Sequence, residues 1–470
     1  MTTVLPPMTT EAAEAAGTDA VTALRNAVTG IVAAPGEPGY ERAVPWSVSV
    51  PVTPCAVVIV ADADDVASTM RVAAAHGLTV AVAATGHGAV PVDETSILVH
   101  TSALTDCVVD PAGRTARVGA GLQWQSVMDA ATPHGLAPLV GSSPAVGVVG
   151  FLTGCGIGPL VRTYGLSSDH VRAFELVTGS GEQMRVTPDE HADLFWGLRG
   201  GKGTLGIVTA VEIDLMPLSE FYGGALYFDG GDAAAVLRAW RDWSADLPED
   251  TNTSIAFLQL PPLPDVPPPL AGRFTVAVRY TSVADPVDAA ARIAPMRAVA
   301  QPIIDMVDVM PYAAIGAVHA DPLDPMPAVE QHVLLSELPD AAVDAVLTGA
   351  GPQSGSPQVV VEMRRLGGAF ARPAAIDSAF CQRGAEYTLM TIGVLAPEIA
   401  AIVPVHSAAL MSSMAPWATG GQLPNFGASA DAARIARCYD EDTRHWLAAL
   451  AEQYDPAGVL RVGQVVRHTR

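Results

Sequence analysis

Residues 141–158 read GSSPAVGVVGFLTGCGIG, with glycine at positions 141, 147, 150, 154, 156 and 158. Glycine loses more backbone freedom on folding than any other residue, so such a density is costly. Missing side chains let a large planar or phosphorylated ligand touch backbone, and Ser142, Ser143 and Thr153 add neutral donors. The alternative is a segment where elements simply pack closely. The segment Gly154–Pro159 approximates a dinucleotide-binding fingerprint, but Pro159 takes the third glycine position and no clear strand precedes it.

Upstream, the run Leu78–Ala83 predicts a strand that leads into Ala84-Thr85-Gly86-His87-Gly88. Glycines on both sides of a histidine allow a tight turn whose N–H groups can face an anion and whose imidazole is reachable. A turn with a merely exposed histidine is the other reading. Before this strand come a predicted helix at Asp19–Val28, a strand at Ala56–Val60 and a helix at Val66–His76, capped by Asp62 and closed by Gly77. Further strands are predicted at Ile97–His100, Thr115–Val118 and Gly206–Leu215, with a helix at Leu122–Ala131. Val171–Thr178 and Gln183–Thr187 predict a hairpin around Gly179-Ser180-Gly181.

Composition changes near residue 218. Pro261–Pro269 is too proline-rich for regular structure, strands at Phe274–Tyr280 and Val359–Arg365 bracket helices near Val287–Ala300 and Ala341–Thr348, and Asp431–Gln453 reads as a helix with Trp446, Leu447 and Leu450 on an apolar face. The expected organisation is a first domain over 1–218 (core about 50–218), a second α+β domain over 219–415, and a C-terminal segment, 416–470, returning to the first.

The 470-residue chain is 50% hydrophobic and 16% charged, which excludes intrinsic disorder. No apolar run is long enough for a spanning helix, and the first residues lack a basic stretch before an apolar core, so neither a membrane span nor a secretory signal is expected. Acids outnumber Lys plus Arg by 49 to 26, a net charge of −23, and Lys202 is the single lysine. Nucleic acid and anionic membranes are therefore not expected partners. A phosphorylated cofactor would be held mainly by backbone N–H groups. The five cysteines, Cys55, Cys107, Cys155, Cys381 and Cys438, are odd in number and widely scattered. No disulfide framework or structural zinc site is expected, and a reducing, cytoplasmic setting fits. The chain has no P-loop, no G-x-S-x-G elbow and no H-E-x-x-H motif, and no metal site is expected.

Across nearly its whole length the chain resembles the flavin oxidases related to berberine bridge enzyme, within the vanillyl-alcohol-oxidase-type (PCMH) FAD-binding superfamily. The resemblance rests on Pro54–Val66, VAVAATGHGAV (80–90), ARVGAGLQWQSVMDAATPHGLA (116–137) and GSSPAVGVVGFLTGCGIGPLVRTYGLSSDHV (141–171). It continues in DLFWGLRGGKGTLGIVTAVEI (193–213), VEMRRLGGAFAR (361–372) and YDPAGVLR (454–461). It implies an α+β fold: a PCMH-type two-part FAD-binding domain and an α+β substrate domain with an antiparallel sheet facing the flavin.

Carried over residue by residue, it implies a covalent flavin link at His87, a pyrophosphate turn at Thr85, Gly86 and Gly88, and a loop along the cofactor at Ser142, Gly147, Gly150, Gly154, Gly156 and Ile157. Gly206 and Val208 match the adenosine side, and Asn425 with Phe426 an Asn-aromatic pair near the ring. Ser143 stands where bicovalent members carry cysteine, and Cys155 takes a glycine position, so a single attachment through His87 is expected. Ala83-Ala84-Thr85-Gly86 replaces the family's Arg-x-Gly-Gly, Lys202 enters a loop that is otherwise glycine, and Leu423 replaces the family's catalytic tyrosine. Lys202 could reach the cofactor phosphates; a lone loop lysine is otherwise solvated.

With the tyrosine gone, Glu362 is a candidate base. Alternation puts it on one strand face with Arg364 and Leu366, and burial would raise its pKa. The alternative is an ion pair with Arg364 or Arg365. Tyr312, His319 and Tyr387 are further options, while Tyr164 reads as structural. The expected activity is an FAD-linked oxidase acting on a small, apolar or natural-product-type substrate, with O₂ as acceptor. A redox-neutral cyclase or isomerase on the same scaffold, or a flavin-sequestering protein, are the rivals. Self-association is left open.

Overall fold

The computed structural model describes residues 10–264 and 266–467, with the backbone alone for residues 10–14 and Thr204. The first helix runs over Thr10–Ala27, longer than its sequence pattern suggested. The strand Ala56–Ile59 leads to Asp62, whose side chain accepts the Asp65 N–H at 3.0 Å and caps the helix Ala63–His76. Gly77 ends that helix with φ 70, a left-handed conformation that suits glycine. The Asp65 carboxylate is buried and accepts backbone N–H groups of Thr29 (2.7 Å), Gly30 (2.9 Å) and Ala61 (2.9 Å), tying the lead-in to the sheet.

That sheet has four strands, in the order Ile31–Ala33, Ala56–Ile59, Ser96–His100, Thr79–Ala83, the last three parallel. A five-stranded antiparallel sheet follows, in the order Cys107–Asp110, Thr115–Gly119, Ile207–Asp214, Val171–Val177, Gln183–Val186. Its last two strands are the expected hairpin. Trp124, Met128, Phe174 and Phe195 fill its core. The glycine-rich stretch is not all loop, because Val148–Thr153 forms a short helix whose Val148 and Leu152 enter the same core.

The C-terminal segment departs from its expectation. It is two helices, Ala432–Ala436 and Glu441–Tyr454, each started by an aspartate side chain, Asp431 and Asp440. Leu447 and Leu450 join the first-half core, but Trp446 is 62% exposed. Trp446 falls between the buried positions of the 3.6-residue period and so turns outward.

The third sheet has eight strands and is antiparallel. Its main order is Ile304–Asp305, Glu220–Asp229, Phe274–Ser282, Thr251–Gln259, Val360–Arg365, Tyr387–Val394, Ala328–Leu335, and Asp308–Pro311 also pairs with Glu220–Asp229. The helices Ala233–Ala245, Pro286–Arg297, Asp340–Ala350 and Ile402–Ser413 cover one face, meeting it through Trp240, Ile293, Val343 and Leu410. The opposite face looks onto the glycine-rich segment. Thr281 Oγ1 donates to the Pro159 carbonyl at 2.7 Å. The buried Arg162 gives its backbone N–H to Asn252 Oδ1 (2.6 Å) and its guanidinium to the carbonyls of Thr251 (2.9 Å), Leu247 (2.8 Å) and Leu366. These bonds seat the sheet against the first half. The architecture is thus α+β with antiparallel sheets, as the resemblance implied.

Candidate functional site

His87 sits in the turn that follows the strand Thr79–Ala83. Gly86 has φ 73, and a Cβ there would meet the Pro45 and Trp46 backbone at 2.8 and 2.9 Å, so only glycine lets the turn approach that segment. The approach places the imidazole on Trp46, with ring centroids 5.0 Å apart and planes 15° from parallel. Nδ1 of His87 shares a hydrogen bond of 2.9 Å with Thr85 Oγ1, which also accepts the Gly147 N–H at 3.3 Å. Burial draws the His87 pKa down to about 4, against an opposing pull from Asp321, so the ring is neutral at pH 7.

The glycines divide into two kinds. A Cβ on Gly88 or Gly150 would meet nothing within 4 Å. On Gly154 it would collide with Asn425, on Gly156 with Phe151, and on Gly206 with Leu176. Gly154, Gly156 and Gly206 therefore serve packing, whereas Gly88 and Gly150 flank open space. Within the glycine-rich stretch the close-packing reading holds at Gly154 and Gly156, while Gly150 borders open space. Ser143 is buried, and its Oγ accepts the Ala145 N–H at 3.4 Å. Ser142 lies beside it in the same loop, Ile157 is buried next to Cys155, and Val208 is buried early in the strand Ile207–Asp214.

At the far end of the helix Val148–Thr153, Asn425 Nδ2 donates to the Phe151 carbonyl at 2.8 Å. Lys202 Nζ donates to the Gly150 carbonyl at 3.0 Å and to Asn425 Oδ1. The next residue, Phe426, lies against the sheet, 5.8 Å from His332 and under the Arg364 guanidinium at 5.6 Å.

That sheet face carries the remaining charges. Glu362 Oε1 accepts Arg279 Nη1 at 2.6 Å and Ser254 Oγ at 2.8 Å, and Oε2 accepts Arg364 Nε at 2.9 Å. His319 Nε2 lies 3.4 Å from Oε1. Burial alone would raise the Glu362 pKa, but Arg364 and Arg279, with His319, hold it well below the usual carboxylate range. The expectation of a raised-pKa base at Glu362 is therefore overturned: the ion-pair alternative describes it, on a buried face. Glu330, half-buried on the strand Ala328–Leu335, has the opposite character. Burial pushes its pKa up to about 7, partly offset by Arg364, the Gly427 N–H and Arg434, and reinforced by Asp321. The charge of Asp321 is felt by His87, Arg364 and Glu330 alike.

Two candidates lie elsewhere. Tyr387 pairs with Arg365 and Leu335 on the helix-covered face, 6.0 Å from Trp240, because strand alternation sends it away from Met390 and Glu362. Tyr312 is buried in the first-half core, and its hydroxyl donates to the Pro138 carbonyl. Neither belongs to the site. Trp46, Asp321 and Glu330 were missed by sequence reasoning, since each reaches the site through a contact distant in sequence.

Residues 54–187 match the protein family described as FAD binding domain. Over 207 residues the chain is 30% identical to the FAD-dependent monooxygenase FUP4 of Fusarium proliferatum, covering 43% of this chain and 40% of that protein. Over 158 residues it is 34% identical to (R)-6-hydroxynicotine oxidase of Paenarthrobacter nicotinovorans, covering 33% of this chain and 34% of the oxidase. The chain thus spans well under half the length of these curated relatives. Among solved structures it superposes on 6-hydroxy-D-nicotine oxidase of Arthrobacter nicotinovorans with TM-score 0.79 at 23% identity, over 93% of this chain and 98% of that one. A wild-type BBE-like protein of Physcomitrella patens gives TM-score 0.81 at 17% identity, over 96% and 100%. The fold is shared with both of these structures. The matched segment contains the His87 turn and the glycine-rich stretch, where Gly88 and Gly150 border open space.

Proposed function

We propose that the protein is an FAD-dependent oxidase whose flavin is attached through His87 alone and whose substrate is oxidised against the charged sheet face. The carrying observation is His87 itself: a neutral imidazole, held by Thr85 and Trp46, next to Gly88, which borders open space. A neutral ring is the nucleophilic form that a bond to the flavin methyl group needs. Nδ1 is engaged by Thr85, so in this arrangement Nε2 makes the link. Ser143 supplies no thiolate for a second bond.

Bound FAD supplies the hydride acceptor and passes two electrons to O₂. Glu330 takes the substrate proton, because its pKa of about 7 suits an acceptor at neutral pH, whereas Glu362 stays ionised and immobilises Arg279 and Arg364. An apolar cluster of Ala225, Ala256, Ala277, Tyr227 and Leu258, closed over by Leu270, adjoins the charged cluster on the same sheet. The substrate is a small molecule with one oxidisable hydroxyl or C–H group.

The test is a purified protein that is yellow, keeps its colour in the acid precipitate, and bleaches anaerobically under 4-hydroxybenzyl alcohol, D-glucose or (R)-6-hydroxynicotine. Air should restore the colour with one H₂O₂ per turnover. Colourless protein, or flavin that acid extracts fully, refutes the tethered-cofactor reading. A redox-neutral cyclase is favoured only by Leu423, which is buried and brings no hydroxyl to the site; product formation without O₂ consumption would establish it.

A further inference from the structure

Lys202 is the chain's single lysine, in a protein of net charge −23. It adopts φ 62 in the loop after the helix Ala192–Leu198, a left-handed conformation disfavoured for a residue with a side chain. Its ammonium reaches two neutral oxygens, the Gly150 carbonyl at 3.0 Å and Asn425 Oδ1. The ionisable groups whose charge acts on it are Cys155, Arg434 and Cys438, with no carboxylate among them. Lys202 is half-buried, and a partly desolvated cation without a counter-ion favours an anion beside it.

The anion's position follows from the neighbours. Gly150, whose carbonyl Lys202 holds, borders the open space of the cradle. Asn425 continues into Phe426, which rests on the sheet floor. Lys202 therefore stands at the end of the cradle where the first half meets the sheet. The helix Val148–Thr153 separates it from the His87 turn, a span of about 9 Å at 1.5 Å per residue. Burial also brings the Lys202 pKa down to about 8, which leaves it mainly charged at pH 7.

We propose that Lys202 is the fixed cation that stabilises negative charge on the flavin ring, and so makes the bound cofactor a stronger oxidant. This rests on the FAD reading above. Charge beside the ring is one of the means by which a protein tunes flavin electronics. Asn425 orients the ammonium, and the glycine neighbours leave room for the ring to approach it.

Sulfite is the probe that reads this charge without substrate. It gives an electron pair to the oxidised ring, an N–S bond forms, and the added negative charge remains on the ring. The holoprotein, Lys202→Met and Lys202→Arg should be titrated with sulfite, and their flavin midpoint potentials measured by dye equilibration. Lys202→Met should weaken sulfite binding by on the order of tenfold or more, the effect of removing one nearby charge at protein-like dielectric. It should lower the potential as well, and Lys202→Arg should recover most of both. A Lys202→Met protein that keeps its flavin, its sulfite affinity and its potential overturns the proposal. So does a Lys202→Met protein that loses flavin while Lys202→Arg keeps it, since the cation would then be holding the phosphates. Wild-type protein without flavin would instead refute the cofactor reading on which the proposal stands.

Discussion

The imidazole of His87 lies flat on the indole of Trp46, centroids 5.0 Å apart, and the same indole donates Nε1–H to the Leu323 carbonyl at 3.2 Å. Trp46 thus joins the His87 turn to the loop that carries Asp321. The backbone repeats the connection, with Met326 N–H on the Trp46 carbonyl at 3.0 Å and Val48 N–H on the Met326 carbonyl at 3.2 Å. One aromatic residue contacts both the imidazole and the loop that carries Asp321.

Replacing that indole should therefore loosen the linking chemistry more than the fold. Trp46→Ala is expected to lower the acid-resistant flavin fraction several-fold, and His87→Ala to abolish it while flavin stays extractable. Acid precipitation followed by peptide mass measurement checks both. A Trp46→Ala protein with full covalent incorporation would remove the positioning role.

Glu330 predicts a pH dependence of known sign. Its pKa is raised to about 7, so the carboxyl is neutral below that pH and becomes a proton acceptor above it. Flavin reduction by a donor should accelerate as pH rises through about 7. Glu330→Gln should slow reduction by roughly 100-fold or more, the usual weight of a positioned base, and flatten that limb. Stopped-flow reduction between pH 5 and 9 measures it. Unchanged rates in Glu330→Gln would assign the proton elsewhere.

Glu362 predicts a stability effect instead. Glu362→Gln leaves Arg279 and Arg364 buried without their counter-charge, which should cost about 3 kcal/mol. The sign with pH follows from its lowered pKa. The stabilisation is fully present above the ordinary value of 4.5 and is lost as pH falls through the depressed one. Wild-type protein should therefore lose stability in acid through a step that Glu362→Gln lacks. Denaturant unfolding at pH 7 and below pH 4 tests both halves.

Tyr387 and Tyr312 predict nothing for the chemistry. Tyr387→Phe keeps its packing on Trp240, and turnover should remain within about twofold of wild type. Tyr312→Phe frees the Pro138 carbonyl and should lower stability by about 1 kcal/mol with turnover similarly preserved. A large fall in turnover for either would contradict the strand alternation and burial described above.

The local signals were legible in the sequence because they are short-range physics. Asp62 and Gly77 bound a helix through their own side-chain and backbone preferences, Gly86 permits a left-handed turn, and the hairpin around Gly179-Ser180-Gly181 needs only neighbours to close. The histidine in its glycine turn and the glycine-rich stretch could be picked out for the same reason. What the glycines do could not: Gly150 borders open space and Gly154 packs on Asn425, although both stand in one stretch of equal composition. Nor could the carboxylates be ranked. Glu362 and Glu330 are both strand glutamates, and their opposite proton affinities arise from which arginines the sheet register places beside them, Arg279 and Arg364 against the first, the Gly427 N–H and a more distant Arg364 against the second. Electrostatics in a buried site depends on distances between residues far apart along the chain, and only the packed sheet sets those distances.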